Sequence, residues 1–515
     1  MLLSVVSLFS AWYAYANYGK GLEFFPEVES DFLMVLVHAR GNLSIYQQDK
    51  LVAEVEQEVL ALSEEFDSVY TRTGIQSAMW MDITQDVIGL ITIELKDWDQ
   101  RRRAVQILAD IRQRTEHIAG IKIETREQEH GPPVGKPIQV QLNSRYPDLL
   151  VPALEKVRKK IESMEGLREI DDDRPIPGIE WKVDVDRAQA AKFGLDVMAI
   201  GDSIKLVTAG LNLGTYRPDD TDDEIDINIR YPEQWRTVNQ LDQVRIVTNS
   251  GAIPISNFIH RSANPKVGSI KRSDGNRILT VRADVMPGVL ADDKIKEIRT
   301  WLSENNFDPK VSYKFKGQDE EQKAAEAFLT KAFFIALFLM AIILITQFNN
   351  FYHAFLILSA VILSTVGALL GLLITNQAFG IVVAGIGMIA LAGVVVNDNI
   401  VLIDTYVRLK NTCKTHKEAI LRTGILRLRP VILTTITTVL GLLPMFLKVN
   451  IDLVTREIAI GAPITQWWFS MATIIIFGLS FATILTLIIT PCALMLRDNI
   501  KAWRHEHGNV GVNRT

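Results

Sequence analysis
Between residues 327 and 495 the chain is built of apolar stretches that match the thickness of a lipid bilayer. A spanning helix needs about 20 apolar residues to cross a hydrocarbon core about 30 Å thick. No water reaches a peptide group there, so each stretch must be a helix that closes its own hydrogen bonds. The stretches fall near 327–347, 352–375, 381–406, 430–448 and 464–495, the last long enough to include an amphipathic approach segment. A sixth lies near 3–18. There Ala14-Tyr15-Ala16 follows the apolar run Leu2 to Trp12 in the manner of a signal-peptidase site, but no Lys or Arg precedes the run. An export signal begins with such a charge, so the segment reads as a membrane helix clipped at its start. On either reading, residue 20 onward leaves the cytoplasm.

The sides of the membrane follow from the basic residues, which collect in cytoplasmic loops. The segment 407–429 carries Arg408, Lys410, Lys414, Lys417, Arg422, Arg427 and Arg429, and the tail carries Arg497, Lys501 and Arg504. Two helices separate them, so both lie on one side, and counting back places the charged part, about 20–325, outside. The net charge of -5 gives no reason to expect a nucleic-acid partner. Both cysteines, Cys413 and Cys492, belong to the apolar half, so the exported part has no disulfides.

Within the exported part, residues 32–127 alternate as strand, helix, strand, strand, helix, strand. Phe32 to Val37 and Gly89 to Leu95 read as strands, and Leu51, Val55, Val59 and Leu62 recur at helical spacing. This is a ferredoxin-like βαββαβ pattern. A second such unit starts at Ile138, is interrupted over about 184–266, and resumes at Ile278. The interruption reads as an inserted domain.

The sharpest motif is Gly393-Val394-Val395-Val396-Asn397-Asp398-Asn399-Ile400-Val401-Leu402-Ile403-Asp404, deep in an apolar helix. A carboxylate near the bilayer centre costs about 2.5–3.5 kcal/mol on insertion scales, so it usually faces a bundle interior and serves a function. The competing reading ends the helix near Asp398, at the interface; the apolar run Ile400 to Ile403 argues against it. Asn397 and Asp404, seven residues apart, share a helix face, and Asp398 points about 100° away. In the next helix, Arg427 and the run Thr434 to Thr438 offer partners. Hydroxyls there either relay protons or bond back to their own helix. Thr434 is the expected neighbour of Asp398; Arg427 qualifies only if its helix begins deeper than the basic flank suggests. Gly367 and Gly371 form a G-x-x-x-G pair suited to close helix packing. Met79-Trp80-Met81 reads as a loop packed on its own domain, with soft side chains that also suit an adaptable apolar ligand. The acidic run Asp219 to Glu224 lacks calcium-loop spacing. No metal site, nucleotide loop or nucleophile motif is expected, so neither an enzyme nor ATP drive is indicated.

On Phe25-Pro26-Glu27, His38-Ala39-Arg40-Gly41-Asn42, Asp186-Arg187 with Ala190 to Leu195, Ile253 to Asn257, Arg272 to Arg277, and the motif at 393–404 with Arg427-Leu428-Arg429-Pro430, the chain resembles the resistance–nodulation–division superfamily. Within it, the likeness is to multidrug efflux permeases of the hydrophobe/amphiphile (acriflavine-resistance) type. The resemblance implies a half-permease: an α-helical transmembrane bundle of about six helices plus α+β periplasmic porter subdomains with an inserted docking subdomain. Residues 1–19 would be part of a seventh helix, 28–134 the first porter subdomain, and 135–183 with 267–318 the second. Residues 184–266 would be the docking insertion, 325–497 five helices and 498–515 a cytoplasmic tail. It also implies drive by the proton-motive force, no cofactor, and export of amphiphilic or hydrophobic compounds across the bacterial inner membrane. The implied partners are the missing N-terminal half, a homotrimer when complete, a periplasmic adaptor and an outer-membrane channel. In the family, protons load an aspartate pair on a helix of the other half, and a lysine commonly stands where this chain has Asn397. That departure sets a cation switch at Asn397 in question. Asp398, Asn397, Asp404, Thr434 and Arg427 are the proton-coupling candidates, and Met79, Trp80 and Met81 the substrate-path candidates. The heavy-metal branch is the less expected one. The rivals are a non-transporting scaffold or remnant half and a lipid- or protein-export relative.

Overall fold
The computed structural model describes all residues except 1, 27, 40, 42, 75–83, 85, 129–134, 175–177, 220–222, 249–250, 266–269, 306, 453–455 and 509–515. Helix α1 (Leu2–Tyr18) leads through the two-residue strand β1 (Leu22–Glu23) into the first α+β unit. That unit runs β2 (Phe32–Ala39), α2 (Ile45–Leu60), β3 (Phe66–Thr73), β4 (Val87–Leu95), α3 (Ala104–Thr115) and β5 (Ile121–Glu127), with sheet order β3-β4-β2-β5. It is the expected βαββαβ arrangement. Leu33, Val35 and Val37 of β2 pack against Val52, Val55 and Val59 of α2 and Ile107 and Ile111 of α3. Ser44 starts α2 with a reciprocal cap: its Oγ accepts from Gln47 N, and Gln47 Oε1 accepts from Ser44 N.

The second α+β unit begins with β6 (Ile138–Ser144), α4 (Pro147–Glu162) and β7 (Leu167–Asp172). The chain then leaves it. Residues 175–269, with 40–42, form a separate compact unit. Its elements are β8 (Ile179–Val185), α5 (Arg187–Lys192), α6 (Val197–Val207), β9 (Leu211–Tyr216), β10 (Ile225–Ile229), α7 (Val238–Gln243), β11 (Arg245–Thr248), β12 (Gly251–Pro254) and β13 (Ile259–Pro265). Strands pair as β8–β13, β9–β10 and β11–β12 around a core that includes Ile200, Leu241 and Phe258. The acidic run 219–224 comes between β9 and β10 in the chain, and its residues 220–222 lie outside the described residues. The second α+β unit resumes with β14 (Arg272–Ser273), β15 (Asn276–Val285), α8 (Ala291–Glu304) and β16 (Ser312–Gly317). Its sheet order is β14-β15-β6-β16, with β7 also on β15.

Among the described residues, five helices long and apolar enough to cross a membrane follow: α9 (Gln318–Phe348), α10 (Phe351–Ile374), α11 (Ile381–Lys410), α12 (His416–Phe446) and α13 (Pro463–Gly508). The apolar α1, of 17 residues, is shorter than these five. Strand β17 (Phe379–Gly380) precedes α11, and a hairpin of β18 (Val449–Asp452) and β19 (Glu457–Ile460) joins α12 to α13. The expected loop at 407–429 is mostly helix, and only 411–415 connects α11 to α12. Thr415 caps α12 by accepting from Glu418 N, Ile420 and Thr423 face inward, and Arg422 pairs with Glu418 along the helix surface. The basic residues mark a side of the membrane without breaking the helix.

β1 pairs with β17, and Phe25 stacks on Trp467 with ring centroids 5.3 Å apart. The end of α1, the start of α11 and the start of α13 therefore lie on the side of the α+β units, and 411–415 lies at the opposite end. Within the bundle, α10 and α13 meet at the G-x-x-x-G pair. A Cβ on Gly367 would stand 2.5 Å from Phe477 O, and one on Gly371 2.7 Å from Phe477 Cβ. Gly393 has nothing within 4 Å of such an atom. Gly367→Val should therefore destabilise the chain by about 1–3 kcal/mol through overpacking against backbone. Gly393→Ala should leave the melting temperature in detergent nearly unchanged. Equal melts for the two variants would contradict this packing.

Candidate functional site
Asp398 sits 17 residues into α11, which continues without a break to Lys410. The alternative of an early helix end is thereby excluded. Its side chain turns into the bundle and the residue is only 7 % exposed. Such a carboxylate needs polar neighbours, because an unsatisfied polar group in an apolar surround costs several kcal/mol. Thr434 of α12 supplies one: its Oγ1 lies 3.1 Å from Asp398 Oδ1 and 2.8 Å from Val431 O. A hydroxyl carries one proton, so Thr434 divides it between the carboxylate and its own helix. Behind it, Thr435 and Thr483 are 2.8 Å apart, joining α12 to α13. Among the described residues, no Lys or Arg forms an ion pair with Asp398.

The neighbouring Asn399 is fully buried. Its Nδ2 donates to Leu356 O of α10 at 3.2 Å, and its Oδ1 accepts from Thr490 Oγ1 of α13 at 2.9 Å. One amide thus ties three helices together. Thr483, Thr486 and Thr490 are all buried and recur on one face of α13. Neither Asn399 nor these three threonines was singled out from the sequence, although the spacing of the threonines, three and then four residues, was there to be read.

The other candidates lie elsewhere. Asn397 is exposed. Asp404 is partly exposed and pairs with Arg408 Nε at 3.0 Å. Arg427 does not reach Asp398; its Nε donates to Thr405 Oγ1 of α11 at 2.6 Å. Met79, Trp80 and Met81 lie outside the described residues. A cavity that no motif announced, of about 560 Å³, opens between the two α+β units and the ends of the membrane helices. Phe24, Phe25, Arg112, Glu169, Met286 and Lys448 are among its lining, so its wall is both apolar and charged. Its volume falls within the range of small-molecule sites, about 300–1,000 Å³.

The whole of this architecture has counterparts. Residues 1–498 match the model of the AcrB/AcrD/AcrF family. The chain belongs to that family. This family member is 24 % identical over 489 residues to the cobalt-zinc-cadmium resistance protein CzcA of Cupriavidus metallidurans, covering 92 % of the chain and 44 % of that protein. It is 25 % identical over 526 residues to the multidrug resistance protein MdtC of Erwinia amylovora, covering 98 % of the chain and 48 % of that protein. A crystal structure of a heavy metal efflux pump superimposes with a TM-score of 0.78 at 20 % identity, over 96 % of the chain and 49 % of that structure. The chain spans about half the length of the curated relatives it matches. The family is one of inner-membrane transporters, and the expected resemblance to resistance–nodulation–division permeases is met at the level of the family. The relatives fall on both the metal and the multidrug side.

The polar node makes a direct prediction. Thr490→Val leaves the buried Asn399 Oδ1 without its donor and should cost about 1–3 kcal/mol. Thr437→Val, on the exposed side of α12, should stay within about 0.5 kcal/mol. Thermal unfolding of the full chain in detergent compares them.

Proposed function
We propose that the chain is one half of a proton-driven export permease of the bacterial inner membrane, working with a complementary set of helices on the same or another polypeptide. The observation that carries this is the pairing of an exposed Asn397 with a buried Asp398 in the middle of one apolar helix. A polar side chain turned to lipid is costly. Asn397, together with the exposed Gly393, Val394 and Thr434, is best covered by further protein. Small residues on that face allow a close approach.

Asp398 then serves as the group that takes and releases a proton. Its partner Thr434 is a hydroxyl, which serves a neutral acid and a carboxylate alike. Each proton moved down the membrane potential releases about 2.3 kcal/mol per 100 mV. The α+β units act as porter subdomains, residues 184–266 as the docking insertion, and the cavity between the units as part of the substrate path. The substrates are amphiphilic or hydrophobic compounds, and the assembly is a trimer that joins a periplasmic adaptor and an outer-membrane channel. A second reading, export of divalent metal ions, draws on the relatives named for cobalt, zinc and cadmium resistance.

In a host stripped of its own pumps, the chain with a matching half should raise tolerance to amphiphilic drugs, and the chain alone should not. Tolerance to zinc, cobalt or cadmium instead would favour the second reading, and no tolerance to either would favour a scaffold. Asp398→Asn should abolish export while insertion persists, and Asp404→Asn should be milder. Export at the wild-type rate by Asp398→Asn would make Asp398 structural. For sidedness, a cysteine at Ser163 should react with an impermeant thiol reagent in spheroplasts, and one at Thr415 should not. The reverse would overturn the topology.

A further inference from the structure
The connection between α12 and α13 carries a bare aliphatic face. Val449 follows Phe446, the last residue of α12, after only Leu447 and Lys448, and β19 returns the chain to Pro463, where α13 begins. β18 and β19 pair with Val449 opposite Ile460, Asn450 opposite Ala459 and Ile451 opposite Ile458. Residues opposite one another share a face of the ribbon, and neighbours along a strand alternate between faces. Val449, Ile451, Ile458 and Ile460 therefore form one face, and all four are the β-branched aliphatics that favour strands. Ile451 is 54 % exposed, and Ile458 and Ile460 are each 71 % exposed. Among the described residues, no third strand joins the pair. A ribbon of two strands is marginally stable in water and needs its apolar face covered.

The base of the hairpin is tied down. Lys448 and Gly461 both have left-handed backbone, with φ of 56° and 90°, and Gly461 N donates to Lys448 O at 2.7 Å. Gln466 Nε2 of α13 donates to Gly461 O at 2.7 Å. Lys448 Nζ stands 4.4 Å from the ring centroid of Phe469, also of α13, a cation–π contact. Side chains from the first two turns of α13 thus fix the hairpin while its aliphatic face stays open.

Two observations indicate what covers that face. The hairpin joins two spanning helices directly, so it lies at the level where they leave the bilayer, on the side of the α+β units. The side of α12 that leads up to it is also apolar throughout. At about 100° per residue, Ile432, Ile436, Val439, Leu440, Leu443 and Leu447 lie within about 60° of the point opposite Thr434. Ile432, Ile436, Leu440 and Leu447 of this stripe are exposed. The polar and small residues that call for a protein cover, Asn397 and Thr434 among them, belong to the other side. An unbroken aliphatic stripe is matched by acyl chains, which are as apolar as leucine. The stripe ends at Leu447, two residues before Val449, and Ile464 in the first turn of α13 is exposed as well.

We propose that the β18–β19 hairpin lies on the bilayer, with Val449, Ile451, Ile458 and Ile460 buried among the lipids of the leaflet on the side of the α+β units. The partner of this surface is lipid. Removing the aliphatic face from water supplies the cover that a two-stranded ribbon lacks. Because the base is tied to Gln466 and Phe469, the contact sets the level at which α13 enters the membrane. The inference rests on α12 and α13 spanning the bilayer and not on what is exported.

Nitroxide labels on single cysteines at Ile451, Ile458 and Ile460, with Cys413→Ala and Cys492→Ala, test this in the full chain in lipid nanodiscs, with and without a matching half. Collisions of each label are measured with oxygen, which concentrates in lipid, and with a water-soluble nickel chelate. Oxygen collisions should exceed nickel collisions at all three positions in both samples, and the ratio should invert at a label on Ser163. Nickel in excess at the three positions would place the face in water and overturn the proposal. Low collision with both reagents would overturn it too, since protein would then be the cover; if this occurs only with the matching half present, that half is the occupant. Should Cys413→Ala unfold the chain, Cys413 is kept and its label subtracted, because it sits at the opposite end of the bundle.

Discussion
Helices α10 and α13 touch backbone to side chain because Gly367 and Gly371 place nothing between them. In lipid, helices gain little from hiding apolar surface, so close packing and interhelical hydrogen bonds hold a bundle together. The rest of the membrane half depends on this contact. With α13 drawn in, Gly478 admits Leu391 of α11, where a Cβ would stand 2.3 Å from Leu391 Cδ2. Asn399 then reaches Leu356 O on one side and Thr490 on the other. Asp398, the next residue, is carried inward to Thr434. A carboxylate in hydrocarbon is tolerable here because the small residues position the polar ones.

The two halves of the chain solve the same electrostatic problem with different chemistry. In the bundle, Asp398 and Asn399 are met by hydroxyls and a carbonyl, which adjust to either protonation state by rotating one bond. Between the α+β units, buried ions are met by opposite ions, an arrangement that loses much more when one partner changes charge. The first holds its polar groups through rotatable hydroxyls; the second holds its groups through fixed opposite charges.

Much of the architecture was legible in the residues. Apolar runs of membrane length gave the helices, and alternation in β2 and β4 with helical spacing in α2 gave the βαββαβ unit. Two turns of helix between Arg427 and Thr434 placed the threonine, not the arginine, beside Asp398, as found. The start of α12 was misread because basic residues report the side of a membrane, not the end of a helix. Asn399 with Thr490, and Thr435 with Thr483, were invisible because each pair lies 48 or more residues apart and only packing makes them neighbours. The cavity was hidden for the same reason, since its wall draws on segments from Phe24 to Gln466. Met79, Trp80 and Met81 lie outside the described residues.

The pairing of β1 with β17 involves only Leu22 with Phe379 and Glu23 with Gly380, but its position gives it mechanical weight. β17 ends where α11 begins, and β1 leads directly toward the first α+β unit. The pair acts as a pin at the top of α11: sliding of that helix along its axis is resisted, while tilting about the pin is not. Asp398 lies about 26 Å down the rod at 1.5 Å per residue. A tilt of about 4° swings it sideways by about 2 Å, well beyond the distance over which a hydrogen bond survives. Small angular changes at the aqueous end of α11 are thereby magnified into the making or breaking of the contact with Thr434.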